Sequence, residues 1–128
     1  MKTPIIIVGD ADVQVFPTLE LAESAIEPPD VKTGDFAAYD SEGRLLELTV
    51  VENARRGIFR VDLVRIVERP DSEFRVEELR AALVAFLHAV GKGDTATSSA
   101  SLNELVNRTI ELDMRPRPGC LGQLFGRR

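Results

Sequence analysis

The stretch from Asp35 to Glu68 constrains the fold most. It reads DFAAYD, SEG, RLLELTVV, ENARRG and IFRVDLVRIVE, three β-rich runs separated by two turn signals. Asp40-Ser41-Glu42-Gly43 carries Asp at the first turn position and Gly at the last, which suits a type I turn closed by a left-handed glycine. Asn53 to Gly57 is a longer, polar connection. The expected product is a three-strand antiparallel meander. In its second strand Leu46, Leu48 and Val50 share one face; in its third, Phe59, Val61, Leu63 and Val67 alternate with Arg60, Asp62, Val64 and Ile66. One mostly apolar face and one mixed face describe a sheet covered on one side.

The flanking segments supply the cover. Pro4 to Val8 and Val13 to Phe16 form a short hairpin around Gly9-Asp10-Ala11-Asp12. A helix is expected from Thr18 to Ile26, with Leu19, Ala22 and Ile26 on one face. Glu27-Pro28-Pro29-Asp30 ends it, because proline lacks the donor and restricts the residue before it. Val31 to Gly34 then reads as a connector. Ser72 is placed to cap a long helix from Glu73 to Val90, with Val76, Leu79, Leu83, Phe86, Leu87 and Val90 as its stripe and Gly91 as its stop. The fold class expected is α+β: a mostly antiparallel sheet of about five strands with helices on one face, plus a short C-terminal helix and tail. The boundaries follow as a domain over 1–91, a flexible linker over 92–101, a helix over 102–113 opened by the capping box Ser101-Leu102-Asn103-Glu104, and a basic tail over 114–128.

At 128 residues, 44% of them hydrophobic, the chain is long enough for one domain with a core and too short for two ordinary ones. No apolar run approaches the roughly 20 residues of a membrane helix. Met1 to Pro4 lead into the first strand without a signal-peptide core, and Cys120 stands alone, so a reducing, cytoplasmic setting is expected. All 21 acids lie at or before Asp113, whereas Arg115, Arg117, Arg127 and Arg128 follow it. The first 114 residues therefore hold 12 of the 16 bases and a net charge of −9. Such a body disfavours nucleic acid or anionic lipid and suits a basic protein partner, although ordinary solubility also accounts for it.

Catalytic signals are weak. His88, the single histidine, lies nearly opposite the Leu83/Phe86 stripe with no recognisable carboxylate and nucleophile beside it, so a surface role is the better reading. Asp10 and Asp12 fit turn chemistry better than an incomplete cation loop. Gly9 and Gly91-Lys92-Gly93 make no phosphate motif, and the sequon at Asn107-Arg108-Thr109 has no meaning without secretion. Cys120 near several arginines reads as an incidental thiol rather than a reactive one. Neither a cofactor nor a metal is expected, and the scarcity of His, Cys and Trp argues against an enzyme.

The most suggestive cluster is acidic: Glu20, Glu23, Glu27, Asp30, Asp35, Asp40 and Glu42 come from the outer face of the first helix, its exit and the first meander turn. On one surface they would steer association with a basic partner; a merely solvated face is the competing account.

The run Phe16, Leu19-Glu20, Ala22-Glu23, Ile26-Glu27-Pro28, Asp30-Val31-Lys32, Gly34-Asp35-Phe36 and Tyr39-Asp40-Ser41-Glu42-Gly43-Arg44-Leu45 resembles small bacterial proteins of polymorphic toxin and immunity loci, over about residues 13–90. The resemblance implies a compact acidic domain that binds a cognate toxin and blocks its active site. The contacts expected on that basis are Glu20, Glu23, Glu27, Asp30, Asp40 and Glu42, with Tyr39 as an aromatic anchor if it faces out. The alternative is a regulatory or accessory subunit that docks on a larger protein through its C-terminal helix and tail. Oligomeric state is not fixed by the sequence.

Overall fold

A computed structural model describes residues 1–10 and 12–114. Five strands, β1 (Ile5–Gly9), β2 (Asp12–Phe16), β3 (Ala37–Tyr39), β4 (Leu45–Arg56) and β5 (Phe59–Val67), form one antiparallel sheet in the order β2-β1-β3-β4-β5. Helices α1 (Leu19–Ala25) and α2 (Pro28–Thr33) lie between β2 and β3; α3 (Val76–Ala89) and α4 (Leu102–Met114) follow β5, separated by a short 3-10 turn at Thr97–Ser99. The fold class is α+β, as the sequence implies.

The helices divide between both faces of the sheet, which corrects the expectation of a single covered face. Successive strand side chains point to opposite sides. Ile5 and Ile7 of β1 pack with Ala22 and Ile26 of the α1 segment and with Ala38, Leu46, Val64 and Ile66. Ile6 packs instead with Val13, Val15 and Tyr39 against Leu79, Leu83 and Leu87 of α3 and Leu105 and Val106 of α4. Burying β1 on both sides is what its unbroken apolar run requires.

Three local expectations change. Pro28 and Pro29 do end α1, but they also open α2: proline at the first helical position loses no bond and arrives with a helical φ. Gly34 at φ 74 closes that helix. Ser72 does not cap α3, because residues 73–75 first touch the sheet. Glu73 accepts from the Leu45 amide at 2.9 Å, Arg75 donates to the Gly43 carbonyl at 2.7 Å, and Phe74 bridges Arg44. The helix therefore starts at Val76. The polar connection over Asn53–Gly57 is largely strand: β4 continues to Arg56 through a bulge between Val51 and Ala54, with Asn53 at φ 56, and the loop is only Gly57-Ile58.

Segment 92–101, expected as a flexible linker, is held in place. The Asp94 carboxylate accepts from the Ala96 amide at 2.9 Å and the Thr97 hydroxyl at 3.0 Å, and Arg108 of α4 donates to that hydroxyl at 3.1 Å. Arg80 of α3 donates to the carbonyls of Ser98 and Ala100. Thr97 and Ala100 are buried, so α4 is docked on the domain rather than tethered to it. The expected tail, with Cys120, lies outside the described residues.

Candidate functional site

Helix α1 begins at Thr18, whose hydroxyl accepts the Leu21 amide at 3.2 Å, and ends at the edge of the sheet beside β5. There the chain turns into α2. The corner so formed and the β5 edge enclose an open groove of about 410 Å³. Ile26 and Val64 are its buried apolar members. Glu20, Glu23, Glu27 and Asp62 surround them, with Arg65 as the one cation among the lining residues. Four carboxylates against one guanidinium in a partly desolvated concavity make a field that attracts positive charge.

These acids are not equivalent. The side chain of Glu23 is only 13% exposed; its carboxylate accepts from the Ile66 amide at 2.8 Å and lies 3.7 Å from Arg65. It holds the groove together. One oxygen of Asp62 accepts from the Asn53 amide at 3.0 Å, within the β4 bulge. Glu20 and Glu27 are exposed and carry no ion pair among the described residues, which makes them the groove's available charges.

The remaining candidates go elsewhere. Asp30 is half-buried on α2, next to the groove but outside its lining. Glu42 is exposed in the turn between β3 and β4, apart from the groove. Asp35 accepts from the Thr33 hydroxyl at 2.8 Å beyond the end of α2.

Two candidates are corrected outright. Tyr39 faces inward: it is 4% exposed, belongs to the core under α3, and its hydroxyl donates to Glu78 at 2.7 Å. Burial, reinforced by that carboxylate, holds its phenol proton far above the ordinary range. Asp40 is 1% exposed. Its carboxylate accepts from the amides of Glu42 at 3.0 Å, Arg44 at 2.9 Å and Lys2 at 3.2 Å. An Asp at the first turn position uses its oxygens on its own backbone, so no charge is left for a partner.

Asp62 and Arg65 were not among the expected contacts. Alternation places them on a strand, but only the sheet order shows that the strand is an edge and that α1 ends beside it.

His88 is exposed, and among the described residues no group of His, Cys, Asp or Glu is arranged to hold a metal. No helix of the described residues is long and apolar enough to cross a membrane. No family model matches the chain, and neither a curated protein nor a solved structure matches it significantly.

Proposed function

We propose that the chain is a non-enzymatic binding protein that takes a basic protein partner in the groove between the α1–α2 corner and β5. In the form that its sequence resemblance favours, it is an immunity protein that occludes a cognate toxin. The observation that carries this reading is the convergence of Glu20, Glu23, Glu27 and Asp62 around the apolar Ile26 and Val64. An apolar floor with a charged rim is the anatomy of a protein-binding surface, and the rim sign selects basic partners. Glu20 and Glu27 make the variable contacts. Glu23 supports them from behind by fixing α1 to the sheet.

The accessory-subunit reading relied on a free C-terminal helix. Docking of α4 through Leu105, Val106 and the Arg108–Thr97–Asp94 set speaks against that part of it, since those side chains are already engaged.

The test is co-expression with the product of the neighbouring gene in a sensitive host. Toxicity of that product alone, rescue by this chain, and co-purification of the two at a one-to-one ratio support the reading. Absence of both toxicity and complex removes it.

A further inference from the structure

We propose that β5 is also a homodimer interface: the β5 edges of two copies pair antiparallel about a two-fold axis at Val61, setting Arg60 of each copy opposite Asp62 of the other. The inference does not rest on the toxin-binding reading.

The edge is open and its polarity can be assigned. The Ile66 amide donates to the Glu23 carboxylate at 2.8 Å, which points it toward α1 and away from β4. Strand amides alternate, and the pairings Val51↔Leu63, Ala54↔Val61 and Arg56↔Phe59 keep the odd residues of β5 facing β4 on both sides of the bulge. By the same alternation the amides of Arg60, Asp62 and Val64 face outward, along the edge that β5 forms in the sheet. Glu23 blunts the edge at Ile66, and the α1–α2 corner stands beside it across the groove at Asp62–Arg65. Ahead of it the strand is unprotected, with Ile58 93% and Phe59 67% exposed. A free edge flanked by large exposed apolar side chains is a template for another strand.

The side chains select one register. An edge pairing through outward-facing groups must set even residues opposite even residues. About Val61, Arg60 faces Asp62 twice, and Phe59 faces Leu63 twice. Two residues' slip in one direction sets Arg60 opposite Arg60; the same slip in the other sets Asp62 opposite Asp62. Like charges directly opposite are unfavourable, and opposite charges are favourable. Within one copy Arg60 is already opposite Arg55 across the β4–β5 hairpin, and among the described residues neither has an ion-pair partner. Asp62 of a second copy supplies the missing counter-charge. The same register brings Ile58 level with Val64 of the other copy, in the wall of its groove.

Sedimentation velocity of the full chain over a concentration series tests this. The wild type should show a reversible monomer–dimer equilibrium. Arg60→Asp and Asp62→Arg, each alone, should weaken it at least tenfold, since each sets like charges opposite one another. Mixing the two variants should form a heterodimer, because both cross-strand pairs then become Asp–Arg. Loss of the Asp62–Asn53 hydrogen bond cannot produce that recovery. Val61→Cys in a Cys120→Ser background gives an independent arm: residue 61 meets its own copy and should cross-link on mild oxidation. The proposal is overturned if the wild type stays monomeric at its highest soluble concentration, if either single variant dimerises as well as the wild type, if the mixture forms no heterodimer, or if Val61→Cys does not cross-link. It is equally overturned if the edge is found to hold nucleic acid on Arg55 and Arg60 in a monomeric protein.

Discussion

The Glu23 carboxylate accepts the backbone amide of Ile66 at 2.8 Å, fastening α1 to the last strand of the sheet. Removing it strips a nearly buried acceptor from a peptide donor. Glu23→Ala should cost about 1–3 kcal/mol, whereas Glu23→Gln, which keeps the acceptor, should cost less than half as much. Urea unfolding of the three proteins measures this. Equal stability of wild type and Glu23→Ala would show that the edge contact contributes nothing.

Asp40 organises the turn between β3 and β4 with its two carboxylate oxygens and three amides. Asp40→Ala leaves those donors without their acceptor and should destabilise the fold by about 2–4 kcal/mol. Glu42→Ala, two residues on and exposed, should stay within about 0.5 kcal/mol of wild type. Thermal melts of the pair separate a structural acid from a surface one.

Tyr39 is the only tyrosine in the chain, so phenolate absorbance reports on it without interference. Its folded-state pKa is raised by burial and by the hydrogen bond to Glu78. Stability from the neutral phenol is therefore fully present below the unfolded value near pH 10 and is lost as pH rises above it. Phenolate should appear only together with unfolding. Tyr39→Phe should remove this alkaline sensitivity and cost about 0.5–1.5 kcal/mol at neutral pH. Reversible titration of the folded protein near pH 10 would contradict the buried placement.

Asp94 titrates with the opposite sign. The Thr97 hydroxyl and the Ala96 amide hold its pKa below the ordinary value. Its contribution is present above about pH 4 and is lost as pH falls through the lower folded value. Since Arg108 reaches the same cluster, acid or Asp94→Ala should loosen α4 first. Hydrogen exchange should show amides of Leu102–Met114 losing protection in Asp94→Ala while those of β1 stay protected. Uniform loss across both would rule out a local role.

Much of this architecture could be read from side-chain pattern. The Asp40–Gly43 turn formed as its chemistry dictates, with Gly43 at φ 87, and the β4 alternation placed Leu46 and Leu48 on one face. On β5 the alternation held but the faces were exchanged: the mixed face carries the buried Val64 and Ile66, and the more apolar one leaves Phe59 and Val67 exposed. The run Ile5-Ile6-Ile7 read only as one strand of a hairpin, and alternation in the meander suggested one covered face, yet the run is buried on both sides. What local pattern could not supply was partnership at a distance. Residues 73–75 read as helix because the strand they bridge is some 30 positions earlier. Asp40 and Tyr39 looked like surface candidates because charge and aromaticity do not reveal which way a turn or a strand faces. The groove is legible only in part: the spacing of Glu20, Glu23 and Glu27 marks one face of α1 and its exit, but Asp62 and Arg65 join them through sheet order.

The proposed role of Glu20 and Glu27 is to attract a basic partner into the groove. Its most direct test is the association rate of the purified partner with wild type and with Glu20→Lys/Glu27→Lys, at low and moderate salt, with the melting temperature of each recorded. The expected result is at least a tenfold slower association for the variant at low salt, a smaller gap as salt rises, and nearly unchanged melting. Equal association rates for two equally folded proteins would place the contact surface elsewhere.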